Sequence, residues 1–278
     1  MIPVAFEYKK VSSVEEALTS LASGGEGKLL AGGYSLIPAM KLRLNQPALL
    51  IDIGDIPALK GIREEDGEIV INAGTTHNDI LHNDLIQQHL PFFHEAAKMI
   101  GDEQVRNRGT MGGSLAHADP AADWPALVLA ADANIELAGT SGKRTLKATE
   151  FFTGLFSTEL QENEIITAIR VPIPAEGSKS VYLKFENPAS RFAIVGCAVL
   201  RLPDGRINIA FTGVADFAFR DAGAEKAVSG KTMDDAAMQE AQTAAVVGVD
   251  ILSDNFASAE YRKHLAKVYL KRALQAVM

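Results

Sequence analysis

A single cysteine, Cys197, occurs in the 278 residues. One thiol forms no disulfide within a chain, and alone it cannot hold an iron–sulfur cluster or a cysteine-based zinc ion. It lies in the apolar run Ala193-Ile194-Val195-Gly196-Cys197-Ala198-Val199-Leu200, so it reads as a buried strand residue rather than a nucleophile. Positive charge is also scarce. The 27 Lys and Arg are outnumbered by 35 Asp and Glu, a net −8, which argues against a nucleic-acid binder with its basic face. No apolar run is long enough to span a bilayer, and Met1-Ile2-Pro3 opens no charged-then-apolar export signal, so the expected compartment is the cytoplasm.

What is present is an ordinary globular composition, 47% apolar and 22% charged, in a chain long enough for two or three subdomains. Ser13-Val14-Glu15-Glu16 is a capping box, and Val14, Ala17, Leu18 and Leu21 follow at helical spacing. Gly24-Gly25 is expected to end that helix. Short strands are expected at Lys28–Ala31 and Ala48–Ile53. Asp66-Gly67 marks a hairpin between 59–63 and 68–73, and helices are expected at 90–100 and 124–131. A second hairpin joins 134–137 to 144–147, and 164–171 is a further strand. Beyond a linker at 172–177, segments 181–186, 192–202 and 206–214 read as a three-stranded antiparallel meander, turned once by Pro203-Asp204-Gly205. The remainder is helical. Tyr261, Leu265, Val268, Tyr269, Ala273 and Val277 form the apolar stripe of its last helix.

Two glycine pairs stand out, in Leu30-Ala31-Gly32-Gly33-Tyr34-Ser35-Leu36 and in Gly109-Thr110-Met111-Gly112-Gly113-Ser114. Each combines small residues with a hydroxyl and has no acidic neighbour, as a backbone needs if its N–H groups are to press on a phosphate. Either pair alone reads as a tight turn; two matched pairs suggest two lobes gripping one diphosphate. Neither fits the G-x-G-x-x-G frame of a dinucleotide-binding turn, although Asp52 falls about twenty residues on, and no G-x-x-x-x-G-K-[ST] loop exists. His117 and Asp119 to Asp123 hint at a metal site, but no second histidine lies nearby and a hydrogen-bonded structural histidine is the better reading. Arg106 and Arg108 lie beside the second pair as diphosphate cations or surface residues. His77 follows Thr75-Thr76 at a helix start, where capping and packing outweigh chemistry.

The segments AGGYSLIPAMKLR (31–43) and VRNRGTMGGSLAHADPAAD (105–123), in this order and spacing, resemble the FAD-binding medium subunit of the molybdenum hydroxylases. That group includes carbon monoxide, nicotine and xanthine dehydrogenases and quinoline oxidoreductase. Pro3–Tyr8, Gly74-Thr75-Thr76-His77 and Tyr182-Leu183-Lys184-Phe185 extend the resemblance over the chain. It implies an α+β protein with a two-lobed FAD-binding domain of the vanillyl-alcohol-oxidase type, its lobes at 1–55 and 56–175. A C-terminal domain of antiparallel sheet and helices follows at 176–278.

By the same resemblance, Leu30, Ala31, Gly32, Gly33, Tyr34, Ser35 and Leu36 carry the first diphosphate contact. Thr110, Gly112, Gly113 and Ser114 carry the second. Asp123 would bind ribityl or adenosine hydroxyls, or else face the dipole of the helix it precedes. In a motif like Lys…Asp-Tyr/Phe-Ala the match here is Lys184…Arg191-Phe192-Ala193, with Arg191 where many relatives have Asp. Phe192 would shield the isoalloxazine ring and Lys184 would contact the cofactor. The resemblance further implies an electron-transfer role. A large molybdenum–pterin subunit and a small subunit with two [2Fe–2S] clusters would be partners, paired as a dimer of heterotrimers. Two alternatives are a self-contained flavin oxidoreductase and an assembly or nucleotide-binding protein without flavin.

Overall fold

The computed structural model describes residues 1–23 and 26–278. Its first lobe is a parallel sheet of three short strands, β1 (Glu7–Lys10), β2 (Gly27–Leu30) and β3 (Leu49–Asp52), in the order β1-β3-β2. Helix α1 (Val14–Ala22) packs Ala17 and Leu18 on it, and α2 (Leu36–Lys41) follows the first glycine pair. Ser13 Oγ accepts from the Glu16 N–H at 3.1 Å, as a capping residue should. The Glu16 carboxylate, however, reaches one residue further back than expected and accepts from the N–H and hydroxyl of Ser12. Gly24-Gly25 lies outside the described residues.

The second lobe is a five-stranded antiparallel sheet. Its strands are β4 (Ile62–Glu65), β5 (Glu68–Asn72), β6 (Asn134–Gly139), β7 (Gly142–Lys147) and β10 (Glu164–Pro172), ordered β4-β5-β10-β6-β7. Asp66 and Gly67, at φ +52° and +77°, make the tight hairpin turn that their residue types call for. A small hairpin, β8 (Phe152–Gly154) and β9 (Ser157–Thr158), and helix α9 (Ala148–Phe151) lie beside it. Between β5 and β6 run α3 (His77–Leu81), α4 (Asp84–His89), α5 (Pro91–Met99), α6 (Glu103–Arg106), α7 (Met111–His117) and α8 (Trp124–Ala130). They bury Phe92, Phe93, Trp124 and Leu127 against the sheet's Ile69, Ile71, Ile135 and Ile169. Ala138 and Ile165 of this lobe share a core with Ile51 and Ile53 of the first, which fastens the two lobes together.

The C-terminal sheet has four strands, not three: β11 (Lys179–Glu186), β12 (Ala193–Arg201), β13 (Ile207–Thr212) and β14 (Phe219–Arg220), each antiparallel to the next. The added strand has two residues, too few to show any period in sequence. β12 starts at Ala193, so Phe192 is left in the preceding turn. Every residue of β12 except Arg201 is buried, because the sheet is covered on both faces. Tyr182, Ala198 and Ala210, in register, face the second lobe; Leu183, Cys197 and Phe211 face the helices α10 (Ala222–Val228), α11 (Asp235–Ala244) and α12 (Ala259–Ala276).

In α12 the buried face is Arg262, Leu265, Ala266, Leu270, Ala273 and Leu274, while Tyr261 is exposed. The unexpected member, Arg262, donates to the carbonyls of Ile194 and Gly213 at 2.5 and 2.6 Å and to Asp254 at 2.6 Å. Those carbonyls bracket the strand ends that dock on the second lobe through Ala193 N–H to Ala121 and Gly213 N–H to Pro120.

Candidate functional site

Strand β2 ends at Leu30, and the chain bends through Ala31–Ser35 into α2. From Ala31 to Leu36, six consecutive backbone N–H groups have no acceptor among the described residues. A buried or half-buried amide without a partner is costly, and a run of them is an anion site in waiting. Gly33 sits at φ +82°, a conformation that side chains rarely adopt. Gly32 serves close approach. A Cβ there would overlap the Arg108 carbonyl oxygen and lie 2.7 Å from its carbon and 2.9 Å from Gly109 Cα. The two glycine segments therefore touch, and Gly32 is the contact. The Ser35 hydroxyl caps nothing and stays available.

The second glycine pair differs from expectation. It forms no open loop but the first turn of α7, and its N–H groups already have acceptors. Met111 donates to the Thr75 carbonyl (3.1 Å), Gly112 to Ala73 (2.8 Å), Gly113 to Thr110 Oγ1 (3.1 Å) and Ser114 to the Thr110 carbonyl (3.0 Å). The physical need for glycine here is space. A Cβ on Gly112 would lie 2.5 Å from that of Ala73, and one on Gly113 would lie 2.7 Å from Thr110 Oγ1. What this turn can still offer a ligand is the hydroxyls of Thr110 and Ser114.

His77 props this turn from below. Its N–H donates to the Gly109 carbonyl, and Gly109 has no room for a Cβ, which would fall 2.6 Å from His77 Nε2. The Trp124 indole N–H donates to Nδ1 at 3.1 Å, so the neutral ring carries its proton on Nε2. Burial, with a smaller push from Arg106, lowers its pKa from 6.5 to about 4. Between those values the unfolded chain binds more protons than the folded one. The stabilisation from this site is complete above pH 6.5 and is lost as pH falls toward 4, on the order of 3 kcal/mol. In His77→Asn the acid-side drop in thermal midpoint across that window should flatten relative to wild type; equal slopes in a calorimetric pH series would contradict the assignment.

At the third corner the structure revises two expectations. Asp123 is neither open to a ligand nor a side-chain cap of α8. Its carboxylate accepts from the Tyr182 hydroxyl and, at 3.0 Å, from Lys184 Nζ. Burial pushes its pKa up, against the pull of Lys184 and Tyr182. Lys184, whose side chain is 1% exposed, donates to Asp123 and to the carbonyls of Met99 (2.9 Å) and Arg191 (2.8 Å). An ammonium has three protons, so none is left for a cofactor. Phe192 is 45% exposed, in the turn before β12. Tyr182 was not foreseen as a member of this group; in sequence it is one more inward residue of an alternating strand. Arg106 is tied to the carbonyls of Ile100 and Gly101, whereas Arg108 lays its carbonyl beside Gly32 and is itself exposed, its side chain without a partner among the described residues. His117 packs on Phe156, ring centroids 5.0 Å apart, and no cluster of metal-ligating side chains occurs among the described residues.

Two lobes that meet at a run of unpaired amides, backed by a sheet-and-helix domain, define a protein that holds a phosphate-bearing cofactor. Residues 4–174 match the FAD binding domain in molybdopterin dehydrogenase, and 180–277 match the CO dehydrogenase flavoprotein C-terminal domain. The chain belongs to the FAD-binding medium subunits of the molybdenum hydroxylases. It is 44% identical to the carbon monoxide dehydrogenase medium chain of Hydrogenophaga pseudoflava, over 99% of this chain and 98% of that one. With the glyceraldehyde dehydrogenase medium chain of Sulfolobus acidocaldarius the figure is 36%, over the full length of both. Among solved structures, carbon monoxide dehydrogenase from Hydrogenophaga pseudoflava lacking the Mo-pyranopterin moiety superposes with a TM-score of 0.96 at 46% identity, covering 100% of this chain and 98% of that one. The expected family, α+β fold and FAD-binding domain are thus found. The donor set fits the group: amide N–H and hydroxyl donors suit a diphosphate. Among the described residues, no helix is long and apolar enough to cross a membrane.

Proposed function

We propose that this chain holds FAD between its two lobes and relays electrons from the [2Fe–2S] clusters of a small partner subunit to an external acceptor. The molybdenum–pterin chemistry would belong to a large partner. The observation that carries this is the row of six N–H groups at Ala31–Leu36, placed by Gly32 against the second lobe. The division into lobes 1–55 and 56–175 and a domain 176–278 assigns one role to each. The first lobe donates amides to the diphosphate, the second adds the Thr110 and Ser114 hydroxyls, and the third presents Phe192 at the ring. Gly112 and Gly113 shape the cleft by their lack of side chains, and Leu30 and Tyr34 flank the amide row. Asp123 and Lys184 act from behind the site. When bound, FAD supplies a redox centre that accepts electrons singly and releases one or two. The chain's own contribution is to hold, orient and shield it.

Relatives at 44%, 36%, 33% and 31% identity are named for carbon monoxide, glyceraldehyde, nicotine and caffeine. Such similar medium chains serving unlike substrates support a substrate pocket in another subunit. The assembly proposed is a cytoplasmic dimer of heterotrimers. Affinity purification of the tagged chain tests it: a cysteine-rich chain with iron and a larger chain with molybdenum should co-elute with the flavin. A lone flavoprotein that oxidises a substrate by itself would overturn the relay in favour of a self-contained flavin oxidoreductase.

A further inference from the structure

The turn that carries Phe192 is unusually tied down for an exposed segment. Asn187 Oδ1 accepts from the N–H groups of Ala189 (2.9 Å) and Ser190 (3.3 Å), and the Asn187 carbonyl accepts from Arg191 (2.8 Å). Arg191 itself sits at φ +61°, which turns its carbonyl inward to Lys184. Its guanidinium donates to Gly101 at 3.1 Å. Lys184 Nζ thus joins three places far apart in sequence: the end of α5 through Met99, the start of α8 through Asp123, and the β11–β12 turn through Arg191. Two of them belong to the second lobe and the third to the C-terminal sheet. The Asp123 carboxylate is fixed in turn by Tyr182, whose hydroxyl lies against Gly196, the register partner of Lys184, where a Cβ would fall 2.5 Å from the tyrosine oxygen. An Arg at 191 keeps the tie because the groups used are its carbonyl and a long donor, not a carboxylate.

We propose that Lys184 is a positioning residue: its ammonium clamps the Asn187–Phe192 turn onto the second lobe and so sets where the Phe192 ring stands over the cofactor. This rests on the placement of Phe192 at the flavin ring given above. The clamp locks a residue of the C-terminal sheet to the FAD-binding lobes, so the two parts cannot drift apart at the ring end without breaking it.

The test compares Lys184→Met, the charge-free pair Asp123→Asn with Lys184→Met, and Phe192→Ala, each in the full chain. The pair leaves no uncompensated carboxylate and supplies the result should the single variant not fold. Hydrogen exchange reads the turn directly, with or without FAD. Exchange at Ala189, Ser190 and Arg191 should quicken by about tenfold while the helices keep their protection. Iodide quenching of the bound flavin's fluorescence reads the ring. It should rise in the lysine variants toward the value in Phe192→Ala. Unchanged exchange in the turn overturns the clamp. Faster exchange with wild-type quenching, where Phe192→Ala raises quenching, overturns the positioning role alone. Wild-type quenching in Phe192→Ala removes Phe192 from the ring and overturns that placement together with the positioning role, while exchange in the turn still decides the clamp.

Discussion

Gly32→Val leaves the purified chain without flavin colour. The added Cβ would overlap the Arg108 carbonyl oxygen and stand 2.7 and 2.9 Å from the backbone atoms behind it. Backbone cannot rotate aside as a side-chain tip can, so the first lobe's amide row must lift off the second lobe. Overpacking of this kind costs about 3 kcal/mol, which as lost cofactor affinity is roughly 100-fold. The first lobe is otherwise intact, because the strain falls on the contact between lobes and not within β2 or α2. Fluorescence titration with FAD, alongside circular dichroism, checks both halves. Gly154→Ala is the control, since its nearest neighbour would be a side-chain carbon at 3.8 Å. An affinity for FAD within about twofold of wild type in Gly32→Val would show that the lobes need not touch there.

Asp123→Ala has the largest expected effect on stability. It strands the Lys184 ammonium, 1% exposed, with two carbonyls and no counter-charge, and takes the acceptor from the buried Tyr182 hydroxyl. Breaking one side of a buried pair costs about 3–5 kcal/mol, a large share of a domain's net stability. Replacing both charges with apolar groups, Asp123→Leu with Lys184→Met, should recover much of that loss, because no charge is then left in the interior. Urea unfolding of the three proteins reads the difference. A loss under about 1 kcal/mol for Asp123→Ala would mean that Lys184 finds water or another partner.

The first glycine pair was legible because its meaning is local. A short strand, two glycines and a hydroxyl leave the amides of Ala31–Leu36 nothing nearby to bind. The second pair looks the same on paper yet works otherwise, since Ala73 and Thr75, which accept from Gly112 and its neighbour Met111, come from a segment well upstream. The same limit applies to Lys184 and Asp123. A lysine on an alternating strand reads as solvated, and only the tertiary fold brings Met99, Asp123 and Arg191 to its ammonium. Arg262 belongs with them. In a helical stripe it reads as exposed charge, but it is buried against two carbonyls. The architecture followed more readily from pattern: Asp66-Gly67, the alternation through β13 and the apolar run of β12 are each set by neighbours in sequence. β14 escaped because two residues carry no period.

The most direct test of the central claim is the flavin content of the purified full-length chain, read from its visible spectrum and from the nucleotide released on denaturation. A flavin spectrum with FAD released at one per chain is the predicted result. A colourless chain that takes up no added FAD, or one whose only flavin is FMN, would contradict a site built to grip a diphosphate between two lobes.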